Sequence, residues 1–247
     1  MRVKLLILIC LFVPNVSLAS LTFAGINTGT CVGYADSPRL NNMSKQTWMG
    51  WFYSTGGDAT SRIMARANNN QWGLGAGANN SRLTFGRSVN LAYVINDTAI
   101  VANTWTFVAF TLDESLGSNN AHMYHGTTVN NLHEDTYGTH TDGDSSAAFT
   151  DDSGAWRIGA QNAGGCTGGT FTGKIDRVMV FNRVLSLSEL KSQMNCFHVT
   201  TGTVGYWVFG NRGTKSNLTQ SDYSGFKDNG TASGTPVSMS APLKFCH

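Results

Sequence analysis

The stretch GTFTGKIDRVMVFNRVLSLSELKSQM, residues 169–194, constrains this chain most, because it joins a buried strand directly to a short capped helix. Ile175, Val178, Val180 and Phe181 are β-branched or aromatic and glycines bound the run, which is the composition of a strand enclosed on most sides. Asn182 and Arg183 interrupt it. Ser186 and Glu189 stand in S-x-x-E spacing, so the serine hydroxyl can cap a helix N-terminus while the glutamate reaches back to the serine amide. Leu187, Leu190 and Met194 give that helix one apolar stripe.

The remainder reads as short strands separated by clusters of Gly, Asn, Asp and Ser. They are expected at 47–53, 62–65, 72–76, 82–87, 91–95, 105–112, 122–125, 155–159 and 174–182. Helix is almost absent outside the capped segment, and neither a Pro-rich linker nor an internal repeat divides the chain. Residues 20–247 are therefore expected to form a single all-β domain, a size that sandwiches of roughly 200–250 residues reach without splitting. Trp48, Trp105 and Trp207 are expected in its core.

Several segments together carry a family resemblance. TWMGWFY at 47–53 resembles an early strand ending in aromatic residues, and RIMARANNNQWGLGA at 62–76 resembles a hairpin leading into an aromatic-glycine strand. NTWTFVAFTLD at 103–113 resembles the asparagine-threonine-tryptophan start of a central strand. AHMYHGT, AWRIGAQN and the opening FAGINTGTCVGYADSPRLNN, with its serine-proline turn, follow the same order. With the strand-to-helix segment, these resemble laminin-G-like jelly-roll domains of the concanavalin A-like superfamily. The resemblance implies a two-sheet antiparallel jelly-roll sandwich with one short helix toward the C-terminus. Within the tail, 197–247, residues 204–243 resemble a segment seen at one end or the other of related jelly rolls: an aromatic strand, an Asp-x-Ser-Gly turn and a glycine-threonine strand. The tail is expected to add an edge strand to the same sandwich; the alternative is an arm that reaches a neighbouring subunit.

The N-terminus describes an export signal. Arg2 and Lys4 precede the apolar run 5–13, and Ser17-Leu18-Ala19 supplies the small residues that signal peptidase requires, so 1–19 is expected to be removed after Ala19. The run is about half of the ~20 residues a membrane-spanning helix needs, and no later segment is long and apolar enough, which argues against membrane insertion. Ser20 stands where a lipoprotein would place its cysteine. Arg2 and Lys4 are the only charges in the leader, so the formal +2 of the whole chain falls to zero without it. A neutral chain with scattered Lys and Arg excludes a nucleic-acid-binding stripe.

Four cysteines remain after the leader, Cys31, Cys166, Cys196 and Cys246, an even number that in an exported chain reads as two disulfides. Three pairings are possible. Cys31 with Cys166 and Cys196 with Cys246 is favoured, tying the first strand to a later loop and the tail to the end of the helix.

Catalytic signals are thin. Glucan-cutting members of the superfamily place carboxylates on alternate residues of one strand, where they share a face across a sugar bond. Glu114, Glu134 and Glu189 are instead isolated in sequence, and the last has a capping role. His122, His125, His133 and His140 invite a zinc reading, but residues three apart on a strand point to opposite faces, so His122 and His125 do not readily share an ion, and exposed loop histidines are the favoured reading of the group. The resemblance implies calcium more readily, with Asp142, Asp144, Asp151 and Asp152 supplying hard oxygen ligands around a flexible turn. Sugars stack on aromatic planes while amides hold their hydroxyls, which makes Trp72, Tyr93, Tyr137, Asn68 and Asn70 candidate glycan contacts.

The expected function is therefore a secreted, non-catalytic, lectin-like module whose partner is a glycan or glycosylated surface. The alternative is a structural or adhesive extracellular protein that self-associates through edge strands or its tail.

Overall fold

Alternation of side chains between two faces turns these short apolar runs into strands, of which the central β-strands of one sheet are buried on both sides. The computed structural model describes residues 18–24, 30–41, 43–56, 62–66, 70–74, 82–87, 93–96, 99–141, 155–161, 166, 169–195, 198–209, 219–233 and 237–241. In chain order the elements are β1 (Leu18–Ala24), β2 (Cys31–Tyr34), β3 (Lys45–Ser54), β4 (Arg62–Arg66), β5 (Asn70–Leu74), β6 (Leu83–Arg87), β7 (Tyr93–Asn96), β8 (Trp105–Asp113) and β9 (Ala121–Gly126). They continue with β10 (His133–Glu134), β11 (Tyr137–Thr141), β12 (Trp156–Ile158), β13 (Thr172–Phe181), α1 (Leu187–Asn195), β14 (Thr203–Trp207), β15 (Thr219–Gln220), β16 (Gly230–Ser233) and β17 (Val237–Ala241).

These strands form two antiparallel sheets. One runs β10-β9-β8-β3-β13-β1-β17, with β14 also on β13; the other runs β11-β7-β6-β5-β4-β12-β2-β16-β15. All nine expected strands are present, with the 72–76 and 91–95 segments shifted to Asn70–Leu74 and Tyr93–Asn96. The tail enters both sheets, since β14 lies on β13, β16 on β2 and β17 on β1. Strand β1 begins at Leu18, so cleavage after Ala19 would leave Ser20 still opposite Met239 and Leu21 opposite Ile175. Residues 1–17 of the expected leader lie outside the described residues.

Aromatic rings fill the space between the sheets. Trp48 from β3 meets Trp156 from β12 at 5.1 Å between ring centroids, and Phe85 from β6 stacks on Phe110 from β8 at 3.5 Å. Such pairs add about 0.5–1.5 kcal/mol each beyond the area they bury. A second apolar layer covers the outer face of the first sheet, where Met49, Trp51, Phe107 and Met179 pack beneath Leu190 and Met194 of α1. The capping box forms as expected, with the Ser186 amide donating to Glu189 Oε2 at 2.9 Å and the Glu189 amide reaching Ser186 Oγ at 3.4 Å. The Ser186 amide, together with Arg183, holds the Glu189 carboxyl below its ordinary pKa. Leu187, by contrast, is exposed rather than part of the helix's buried stripe, which comprises Leu190, Gln193 and Met194. Trp48 and Trp207 are core residues, whereas Trp105 is only half-buried and rests beside Tyr53 on the outer face.

Strand β13 changes partner along its length. Its first half pairs with β1 and its second with β14, while β3 runs along its other edge throughout. A bulge between Asp176 and Val178, with Arg177 at φ 53°, falls where the partner changes. Gly173 precedes it at φ 139°, and a Cβ there would run into the Tyr53 carbonyl oxygen of β3. Gly173→Ala is expected to destabilise the fold by about 1–3 kcal/mol through backbone strain alone, read as a lowered denaturation midpoint with an unchanged slope.

Candidate functional site

The outer face of the second sheet holds a pocket whose lining follows from strand alternation. In β2, Val32 and Tyr34 enter the core, so Cys31 and Gly33 face outward. In β12, Arg157 faces outward between the buried Trp156 and Ile158, and in β16 Thr231 and Ser233 flank the buried Ala232. Cross-strand register aligns Thr231 and Arg157 on either side of Gly33. A Cβ at Gly33 would sit 3.2 Å from Arg157 Nη1, so the guanidinium lies close over this glycine and would have to shift by a few tenths of an ångström for a larger residue.

The Cys31–Cys166 disulfide ties β2 to this face, with its Cα atoms 5.4 Å apart and Cys166 in the left-handed region at φ 59°. The resulting open pocket has a volume of about 360 Å³, with Gly33 and Ala35 among its small residues, Arg157 and Cys166 in its walls and the hydroxyls of Thr231 and Ser233 at its rim. Arg157 is half-buried, donates from Nη1 to the Trp156 carbonyl at 2.9 Å, and has its pKa lowered by desolvation. A guanidinium nevertheless stays cationic in proteins and presents planar donors suited to a carboxylate. Sequence reasoning did not single out Arg157, because its value depends on which residues lie in register beside it.

The candidate contacts read from sequence fall in different places. Trp72 stands in β5 opposite Met64 and Phe85, Tyr93 in β7 opposite Gly86, and Asn70 opposite Arg66 and Arg87; their side chains lie outside the described set. Asn68, Asp142, Asp144, Asp151, Asp152, Cys196 and Cys246 lie outside the described residues altogether. Tyr137 is half-buried against the core; its hydroxyl accepts from the Met123 amide at 3.0 Å and donates to Glu134 Oε1 at 2.9 Å. Burial pushes that hydroxyl's pKa well up. Tyr137 thus buttresses the β9–β10 hairpin rather than presenting an open ring.

The histidines separate by face. His122 contacts Glu134 Oε1 through Nδ1 at 2.7 Å, whereas His125 contacts Asp135 through Nδ1 and lies beside His133, with ring centroids 4.8 Å apart. His122 and His125 lie in the strand expected at 122–125, whereas His133 lies in a strand rather than the loop expected; strand alternation separates His122 from His125 but leaves His125 and His133 on one face. His140 lies in β11, with its side chain outside the described set.

Comparison with known proteins gives the class. A family model of the laminin-G type, described as the concanavalin A-like lectin/glucanases superfamily, matches residues 28–191. The chain belongs to this family, and the jelly-roll expectation drawn from its sequence holds. A Bacteroides ovatus protein of provisionally assigned carbohydrate-binding function superposes with a TM-score of 0.68 at 16% identity, over 90% of this chain and 60% of that one. The chain thus spans about 60% of the length of that protein. A CBM40 module of the Ruminococcus gnavus IT-sialidase gives a TM-score of 0.47 at 16% identity, over 68% of this chain and 95% of that one. Domain 4 of AbnA, an extracellular arabinanase of Geobacillus stearothermophilus, gives 0.45 at 17% identity, over 70% and 86% respectively. No curated protein sequence matches the chain. Among the described residues, no helix is long and apolar enough to cross a membrane.

Proposed function

We propose that this chain is a secreted, non-catalytic carbohydrate-recognition module that holds its glycan in the pocket between Gly33, Arg157 and Thr231. The observation that carries the reading is the pocket itself, about 360 Å³ and lined by small residues together with Tyr34, Cys166, the Arg157 guanidinium and the side chains of Thr231 and Ser233. Its volume lies in the range of small-molecule sites, roughly 300–1,000 Å³. Small residues admit a sugar ring close to the sheet, hydroxyls exchange hydrogen bonds with its hydroxyls, and Arg157 favours a sugar bearing a carboxylate. The fold shared with the Bacteroides ovatus protein supports the class of ligand. The disulfide supports an oxidising, extracellular setting.

Carboxylates with other duties support the non-catalytic part. Glu134 is engaged by His122 and Tyr137, and Glu189 by Ser186 and Arg183. Asp176 is fully buried, out of reach of any substrate. Calcium at Asp142, Asp144, Asp151 and Asp152 is a separate proposal with its own arm in the test.

A glycan array probed with oxidised protein, once with calcium and once with chelator, tests these readings. Acidic glycans are expected to dominate the bound set. Arg157→Ala should weaken binding about 10- to 100-fold, the effect of losing hydrogen bonds to a charged partner worth about 1.5–3 kcal/mol. Arg157→Lys should recover part of that loss, since charge returns without the planar fork. Unaltered binding by Arg157→Ala would move the site elsewhere; a chelator-sensitive signal would point to the aspartate segment; silence throughout would favour self-association.

A further inference from the structure

We propose that His125, His133 and Asp135 form a binding site for a divalent transition-metal ion of the zinc class, on the hairpin β9–β10 and distinct from the Arg157 pocket. One donor atom from each residue lies within 4.8 Å of the others. The hairpin creates the cluster. His133 stands directly opposite His125 in the antiparallel register, and the Asp135 amide continues the pairing by donating to the Met123 carbonyl at 2.9 Å. Asp135 therefore lies diagonally across from His125 on the same face.

Each donor is prepared in its own way. His133 Nδ1 lies 2.7 Å from the Asn131 carbonyl oxygen, which can only accept, so Nδ1 carries the proton and Nε2 offers its lone pair. That is the hydrogen bond a metal-bound imidazole characteristically makes through its second nitrogen. The Asp135 side chain is fully buried, and its Oδ2 has no hydrogen-bond partner. A buried, unsatisfied carboxylate oxygen is costly, and a cation is the partner that satisfies it. His125 touches the other oxygen, Oδ1, and a bound ion would take the place of the proton between them.

The connecting turn is already rigid. Asn131 Oδ1 accepts from the amides of Thr127 and Thr128 at 2.9 and 2.7 Å, and its Nδ2 donates to Thr127 Oγ1 at 2.8 Å. Gly126 is required there, because a Cβ would lie 2.8 Å from Leu132 Cα. Tetrahedral ligands with bonds of about 2.0–2.1 Å stand roughly 3.3 Å apart, so closure needs a modest rotation, which the exposed His133 can supply. Two imidazoles and one carboxylate suit zinc, copper or nickel, whereas calcium asks for six to eight oxygens. Three protein ligands leave a fourth position open to water or to a donor atom of a bound molecule.

The test titrates chelator-stripped, oxidised full chain with Zn²⁺ alone, by calorimetry and by metal content after desalting. One ion per chain is expected, with calcium failing to compete. His133→Gln and Asp135→Asn should each weaken zinc binding by at least about 100-fold, the upper end of what losing a ligand's mere supporting partner causes. His122→Gln, on the other face, should leave it unchanged. Because His133 is exposed, His133→Gln should melt like the parent without metal while losing the zinc-dependent rise in Tm. Absence of saturable zinc binding, or binding that survives His133→Gln, would overturn the proposal, and neither result bears on glycan recognition at Arg157.

Discussion

Replacing both Cys31 and Cys166 with serine is expected to cost the fold about 5 kcal/mol, on a chain-entropy estimate for a bridge of this span. The bridge joins residues separated by 135 positions, so its loss frees most of the chain in the unfolded state. For a domain of this size, such a loss corresponds to a fall in Tm of roughly 10–20 °C. Denaturant melts of the double variant against the oxidised parent read it directly, and equal midpoints would show that the bridge adds nothing. Glycan binding should weaken in the same variant even well below its Tm, because Cys166 forms part of the Arg157 pocket. The cost has a structural source as well as an entropic one. Cys31, Cys166 and Ala160 form a small buried cluster of their own, and serine hydroxyls there would have to find hydrogen-bond partners.

Asp176→Asn is expected to stabilise the protein at pH 8 by as much as about 4 kcal/mol, the gain shrinking to nothing near pH 4. Asp176 lies in the bulge of β13, fully buried, with Arg177 Nε 3.7 Å from its Oδ2. Burial pushes its pKa up to about 7, against the opposing pull of Arg177. A raised carboxyl pKa means that the folded state holds its proton more tightly than the unfolded chain. Its stabilising contribution is therefore complete below the unfolded value near 4, and declines by about 1.4 kcal/mol per pH unit until pH 7. The difference between variant and parent across pH 4–8 isolates this one group from all other titrations. A difference that is flat with pH would show that Asp176 ionises normally. The bulge explains why such a residue is kept inside: it lies where β13 passes from β1 to β14, and the extra residue Arg177 breaks the alternation that would otherwise hold an apolar side chain there.

Local chemistry made much of the fold legible. β-branched and aromatic runs between glycine-rich turns marked nine strands, and the spacing of Ser186 and Glu189 marked the helix start, because both depend on neighbours a few residues away. The Asp-x-Ser-Gly turn was legible for the same reason. Asp222 accepts from the amides of Tyr206, Ser224 and Asp228 and from the Ser224 hydroxyl, mostly a local network. The Cys31–Cys166 bridge is the one favoured among three pairings that the thiol count left open, and it forms. Trp105 was misplaced as core because composition reports that a strand has a buried side but not how completely each end of it is covered.

The sites depended on register, which sequence pattern does not supply. Arg157 and Thr231 are 74 positions apart, yet they flank Gly33 because β12 and β16 pair on either side of β2. His125 and His133 face each other because a hairpin folds them together, although neither their spacing nor a motif announces it. Nine of the strands, the capped helix, the turn chemistry and the family were readable in the amino-acid order alone, since these arise from short-range propensity and the burial of apolar surface. Which polar side chains share a face depends on the pairing of distant strands, because a shift of one residue in register would have turned each of them to the opposite side of its sheet.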